Sequence, residues 1–230
     1  MKSTSVQRLG LPDLGIGVGL RSQHYREILE GAPQVDFFDI ISDNYCGTEG
    51  LPLEYLERIA QRHPLVMHGV SLSIGSTAPV DQTYVNNVVR LRDRIEARWV
   101  SDHLCWTGLA GRNTHDLLPM PYTQDALAHV ADRVRAVQDA LRAPPILENH
   151  STYVGFSLST MPEWEFLADL CLLTGCGLLL DANNVLIRPA ITASMQRNTL
   201  MAFPGTMWCS FTSLATAIWG RTSSIRTTAR

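Results

Sequence analysis

Five amphipathic stretches alternate with six short apolar runs along this chain, and no other feature restricts the fold so tightly. The apolar runs, rich in β-branched or aromatic residues, lie at 15–20 (GIGVGL), 37–42 (FFDIIS), 65–71 (LVMHGVS), 99–104 (WVSDHL), 145–150 (PILENH) and 177–185 (GLLLDANNV). The spacing predicts helices near 22–31, 53–62, 83–97, 123–142 and 161–174. Thr123 is a suitable N-cap for the fourth helix, and Pro162, following Ser159 and Thr160, suits the first turn of the fifth. Strands that are apolar throughout and separated by helices imply a parallel sheet covered by helices.

Two architectures satisfy that pattern, a doubly wound open sheet and a TIM-type (β/α)8 barrel. The first turn, GIGVGLR, does not spell G-x-G-x-x-G, which argues against a dinucleotide fold. The barrel is favoured by where the polar residues fall. Asp43 and Asn44 follow the second run, His68 lies within the third, and Asp102 and His103 end the fourth. Glu148, Asn149 and His150 end the fifth, and Asp181, Asn183 and Asn184 end the sixth. In a barrel these strand ends open on one shared mouth, where active sites of this architecture form.

Taken singly, each has an ordinary structural reading: a hydrogen-bonded His68, a helix cap at Asp102 or Asp181, a turn at Asn183–Asn184. His63 and His129 fall on helical stretches without a partner pattern and are expected at the surface. Jointly, His68, His103, Glu148 and Asp181 at four successive strand ends form a mixed nitrogen and oxygen donor set without thiolate. Such a set suits iron, manganese or zinc, and a carboxylate within it can bridge two metals. These residues alone permit a metal-dependent barrel enzyme, including a divalent-metal isomerase or a phosphoester hydrolase.

Composition narrows the partners. A net charge of −3 and a pI near 6.1 give no footprint for nucleic acid or an anionic membrane. MKSTSVQRLG has no apolar signal core and no run reaches a membrane span, so a cytoplasmic location is expected. The five cysteines are irregularly spaced and form no CxxC pair, which predicts reduced and mostly buried thiols.

Eight blocks in order resemble the multinuclear non-heme iron-dependent oxidative enzymes, the family that includes the methanobactin-maturation oxidase. They are GVGLR (17–21), SDNY (42–45), HGVSLSIGS (68–76), WVSDHLCWTG (99–108), HDLLPMPYT (115–123), LENHSTY (147–153), MPEWEFL (161–167) and TGCGLLLDANNV (174–185). The resemblance implies a xylose-isomerase-like barrel holding two or three irons. It also implies O2-dependent modification of cysteine residues in ribosomally made precursor peptides, with a small partner protein presenting the peptide. Carried over by position, His68, His103, Glu148 and Asp181 match the family's iron-ligand positions. Asp43, Asn44, Asp102, Asn149 and Asn183 stand where residues would support the ligands or meet substrate, with Asp43 where the family commonly has Glu. Trp106, His115 and Asp116 match blocks that line the mouth.

The charge is divided unevenly. Residues 1–189 carry all 22 Asp and Glu and all 7 His, whereas residues 190–230 carry none of either, four Arg and 13 Ser or Thr. The resembling family continues after its LLLDxNN block with Asn-His-Gly-Phe-Asp, then His-Leu-Ala-Gly-His, then Asp-Thr-His. None of these is spelled here. Suitable codons for 190–195, 209–216 and 219–228 yield counterparts of all three in a single shifted frame, and Met207, Trp208 and Cys209 force Val-Val before the second. The expectation is therefore a partial barrel of about six βα units over 1–189, with strands seven and eight lost, followed by a frameshifted tail over 190–230. On that expectation iron binding and oxidase activity are weakened, and at the extreme the chain is a degenerate product that only binds peptide or partner.

Overall fold

The computed structural model describes residues 9–109, 112–149, 154–181, 184 and 208–212; for Leu109, Arg112, Asn113, His115 and Trp208–Thr212 it describes the backbone alone. Asn183, His150 and most of the 190–230 tail lie outside these residues. Seven strands form one sheet: β1 (Gly17–Gly19), β2 (Phe37–Ile41), β3 (Leu65–Gly69), β4 (Val100–His103), β7 (Ile146–Glu148), β8 (Gly177–Asp181) and β9 (Trp208–Thr212). Every neighbouring pair in it is parallel. A separate antiparallel hairpin, β5 (Trp106–Leu109) and β6 (Arg112–Leu118), is inserted after β4. The helices are α1 (Tyr25–Glu30), α2 (Leu51–Ala60), α3 (Gln82–Ile95), α4 (Gln124–Leu141) and α5 (Glu163–Thr174).

Strand order in the seven-stranded sheet follows sequence order without reversal. A doubly wound sheet must reverse direction at a switch point, so this order belongs to the singly wound (β/α)8 barrel. The chain curls as part of such a barrel. The body supplies the six expected strands, and the tail adds β9, whose Asp181↔Thr212 and Leu180↔Phe211 pairs continue the ladder. The edge of β8 is thereby paired, where the sequence alone predicted it open.

Strand parity sorts the side chains into two layers, because successive residues point to opposite faces. Phe38, Ile40, Leu65, Met67, Leu147, Leu178 and Leu180 face outward into one large core with α1 to α5. Val66, Trp99, Ile146 and Leu179 face inward and pack together with Phe37, Leu11 and Leu14 as a plug inside the curl. Phe37 meets the Trp99 ring edge-on at 6.0 Å between centroids. Two residues further along the same inward faces come His68, Ser101, Glu148 and Asp181, and His103 lies two beyond Ser101.

The helix boundaries have local causes. Thr123 caps α4 as expected, its side chain accepting from Ala126 N, and Asp81 caps α3 by accepting from Thr83 N and Tyr84 N. Pro162 is the residue preceding α5, and Gly175 ends that helix at φ +72, a left-handed conformation that glycine adopts without strain. Cys105, Cys171 and Cys176 are buried and Cys46 is half-buried, with Cys176 Sγ 3.9 Å from Cys171 Sγ. Phe166, fully buried between α5 and the sheet, tests the outer layer. Phe166→Ala should lower the unfolding free energy by about 3–5 kcal/mol in urea denaturation, the range for truncating a buried aromatic ring.

Candidate metal centre

Parallel register brings the inward residues of adjacent strands level at the mouth. His68 pairs with Ser101 across β3 and β4, and His103 pairs with Glu148 across β4 and β7. His68 Nε2 lies 3.3 Å from His103 Nε2 and 3.2 Å from Glu148 Oε2. His103 Nε2 is 3.7 Å from the same carboxylate oxygen. One ligating atom from each residue falls within 4.8 Å of the others, and this is the group of such donors found among the described residues.

The far side of each of these three groups is held. His103 Nδ1 lies 3.2 Å from the Gly69 carbonyl, which can only accept, so Nδ1 carries the proton and the Nε2 lone pair faces the cluster. His68 Nδ1 lies 2.9 Å from Ser101 Oγ. Asn184 Nδ2 donates to Glu148 Oε1 at 3.1 Å and to the Asn149 carbonyl at 2.8 Å, which leaves Oε2 towards the imidazoles. The Asn149 amide accepts from Asp181 N at 2.8 Å and donates to Asp181 O at 3.0 Å, imitating one more rung between β7 and β8.

Burial and like charges set the protonation. Glu148 is raised from 4.5 to about 8, first by burial and then by the charges of Asp181, Asp39 and Asp102. His68 is lowered from 6.5 to about 3 by burial and by His103, and His103 is lowered chiefly by burial. A divalent cation is what such an arrangement accommodates: neutral imidazoles presenting nitrogen lone pairs beside a carboxyl that ionises only against a cost.

The other predicted residues occupy different places. Asp181 ends β8 outside the three-residue group, close enough to raise Glu148, and its Oδ1 accepts from Asn184 N at 3.3 Å. Asp102 is adjacent to His103 in sequence and so points to the opposite face of β4. There its Oδ2 accepts from Leu72 N at 3.1 Å, and it caps no following helix. A Cβ on Gly69 would meet that oxygen at 2.3 Å, which requires glycine at this point of β3. Burial raises Asp102 from 3.8 to about 8. Asp43 accepts from Val70 N at 3.0 Å and from the Tyr84 hydroxyl at 3.2 Å. Together with Arg133, which donates to the carbonyls of Ser73, Ile74 and Ala78, these two carboxyl groups anchor the loop that follows His68. Asn44 is exposed in the short turn Ser42–Asn44.

Trp106 Nε1 donates to the Pro119 carbonyl at 2.8 Å, and Asp116 is exposed on β6. His129 is exposed, as expected, with a ring nitrogen 2.9 Å from the Ser76 carbonyl, whereas His63 is half-buried and packs edge-on against Phe38. Sequence reasoning missed two residues: Ser101 has no motif, and Asp39 is hidden within FFDIIS. Asn184 stands among the polar strand ends, but the sequence does not show that it meets Glu148. Asp39 is raised from 3.8 to about 7 by burial, and among the described residues its Oδ1 is buried without a hydrogen-bond partner. The inward parity of Phe37 and Asp39 on β2 is the signal that could have found it.

A singly wound parallel barrel with two imidazoles and a carboxylate converging at the strand ends defines the class: a TIM-type α/β chain with a candidate metal centre. The chain belongs to the family described as RiPP precursor modification enzyme MbnB/TglH/ChrH, whose sequence profile matches residues 15–207. That match runs past residue 190 into the acid-free tail. A UPF0276 protein of Anaeromyxobacter sp. (strain Fw109-5) is 50% identical over 174 residues, covering 76% of this chain and 62% of the relative. One from Caulobacter vibrioides (strain NA1000 / CB15N) is 47% identical over 174 residues, 75% of this chain and 62% of the relative. The matched segment thus spans about 62% of the length of these curated relatives. Among solved structures, N-terminal His-tagged D-allulose 3-epimerase from Methylomonas sp. in complex with D-allulose superposes with a TM-score of 0.59. It is 12% identical, over 88% of this chain and 73% of the epimerase, a likeness of fold alone. No helix among the described residues is long and apolar enough to cross a membrane.

The pKa shifts fix a pH dependence for the metal-free chain. Between the usual carboxyl range and about pH 8, the folded chain keeps protons on Glu148 and Asp102 that the unfolded chain has lost, so stability falls as pH rises. His68 acts oppositely between about 3 and 6.5, where only the unfolded chain is protonated and acid destabilises the fold. From about pH 6.5 to 8 the carboxyl groups act without that opposition. Thermal melts of the metal-free chain should therefore show Tm declining over this interval, and Glu148→Gln should flatten the decline.

Proposed function

We propose that this chain carries the core of an iron- and O2-dependent enzyme that modifies cysteine residues of ribosomally made precursor peptides, with His68, His103 and Glu148 as ligands of one iron. The observation that carries this reading is the convergence of His68 Nε2, His103 Nε2 and Glu148 Oε2 within 4.8 Å in a chain that belongs to a precursor-modifying family. The donor set fits the metal: two imidazole nitrogens and a carboxylate oxygen suit non-heme iron, and no thiolate competes. Asp181, at the next strand end and electrostatically coupled to Glu148, would serve a second iron. Iron bound there supplies one-electron redox chemistry and a site for O2.

The chain's own residues do the rest. The plug of Val66, Trp99, Ile146 and Leu179 closes the interior beneath the ligands and keeps water from reaching them from below. Asn184 orients Glu148, and the anchored loop after β3 holds His68 in place. The substrate is a precursor peptide, presented by a small partner protein. Exposed Val154, Phe156 and Leu158, on the connection from β7 to α5 at the mouth, offer apolar surface to it. Residues 190–230 are read in a shifted frame and lack the histidines of the resembling family's later blocks, so iron binding is weaker and turnover lower than in a chain carrying them.

Anaerobic loading with Fe(II), followed by metal analysis and oxygen-electrode measurement with a cysteine-containing precursor peptide, tests this reading. Weakly held iron is expected, at least tenfold less of it in Glu148→Gln or His68→Ala, and O2 consumption that rises when the frame through 190–230 is restored. A colourless protein that prefers zinc or magnesium, or iron content unchanged in both variants, would overturn the reading.

A further inference from the structure

We infer that Ser101 is a positioning residue that fixes which nitrogen of His68 faces the metal centre. The inference rests on the metal-site reading of His68, His103 and Glu148 and assigns a role to a residue that coordinates nothing. Ser101 Oγ is buried on the inward face of β4, directly across the ladder from His68. It makes two contacts, one to the Met67 carbonyl at 3.1 Å and one to His68 Nδ1 at 2.9 Å. A hydroxyl has a single proton, and a carbonyl can only accept. With that proton directed to Met67 O, the oxygen lone pairs are left for His68, whose Nδ1 must then be the donor.

A neutral imidazole holds one ring proton, so protonated Nδ1 leaves Nε2 with a free lone pair. That lone pair points at His103 Nε2 and Glu148 Oε2. The two histidines are thus set by the same device in two forms: His103 by the backbone carbonyl of Gly69, and His68 by a side-chain hydroxyl tied to the backbone carbonyl of Met67. Both carbonyls belong to β3, so the strand that carries one ligand also orients both. The opposite arrangement, with Ser101 donating to Nδ1, would put a proton on His68 Nε2 and turn it from a ligand into a donor towards Glu148.

Two measurements test this on the 230-residue chain. The first is the 15N–1H correlation spectrum of the histidine rings in metal-free protein above pH 7. His68 is expected in the Nδ1–H tautomer, converting towards Nε2–H in Ser101→Ala, while His103 stays unchanged. The second is titration with Co(II), followed by its visible absorption. Ser101→Ala should bind about 10–100-fold more weakly, the usual cost of losing a group that orients a metal-ligating histidine, and Ser101→Thr, which keeps the hydroxyl, should recover most of the loss. A wild-type His68 in the Nε2–H tautomer, or a Ser101→Ala variant with unchanged tautomer and affinity, would overturn the role of Ser101. Wild-type protein that takes up no Co(II) would instead overturn the metal-site reading, leaving the tautomer spectrum to decide on Ser101.

Discussion

Along a parallel strand, odd and even residues face opposite sides, and in this chain that alternation separates a hydrocarbon core from a site of ionisable groups. Inward positions along β3, β4 with Trp99 just before it, β7 and β8 run from Val66, Trp99, Ile146 and Leu179 at the bottom to His68, His103, Glu148 and Asp181 at the top. A slip of one residue in β3, β7 or β8 would drive an imidazole or carboxyl group into the outer core and a leucine or methionine into the mouth. The plug therefore does more than fill space. By fixing register, it places three polar side chains within reach of one point, at the cost of burying Glu148 and Asp39 as groups that resist ionisation.

Much of this was legible in the sequence, for a physical reason. Fully buried parallel strands must be apolar on both faces, so the six runs announce themselves, and a histidine or acid near the end of such a run stands out against it. His68, His103 and Glu148 were read in this way and meet in space. Asp102 shows where the reading runs out. It shares a strand end with His103, yet parity sends it to the other face, where it supports the loop after β3. The hairpin of β5 and β6 was not expected, because its strands carry no apolar run and pair only with each other. Ser101 escaped because meeting a neighbouring imidazole requires only one hydroxyl at the correct distance, and a lone serine leaves no pattern.

The tail joins these threads. Its composition sets it apart at about residue 190, while the family profile extends to residue 207 and Trp208–Thr212 pairs with β8. A segment without acids or histidines can still supply a strand, because sheet pairing uses the backbone. Ligation would use side chains, and no histidine, aspartate or glutamate occurs after position 189. Folding and chemistry thus place different demands on one stretch of chain, and a segment can meet the first without the second.

The central claim is that the inward faces of β3, β4 and β7 converge on a single metal. Crystals of the chain grown anaerobically with Fe(II), with anomalous diffraction recorded on both sides of the iron absorption edge, test it most directly. The account predicts an edge-dependent peak bonded to His68 Nε2, His103 Nε2 and a Glu148 carboxylate oxygen. Density without such a peak there, or iron bound through other residues with these three hydrogen-bonded among themselves, would contradict it.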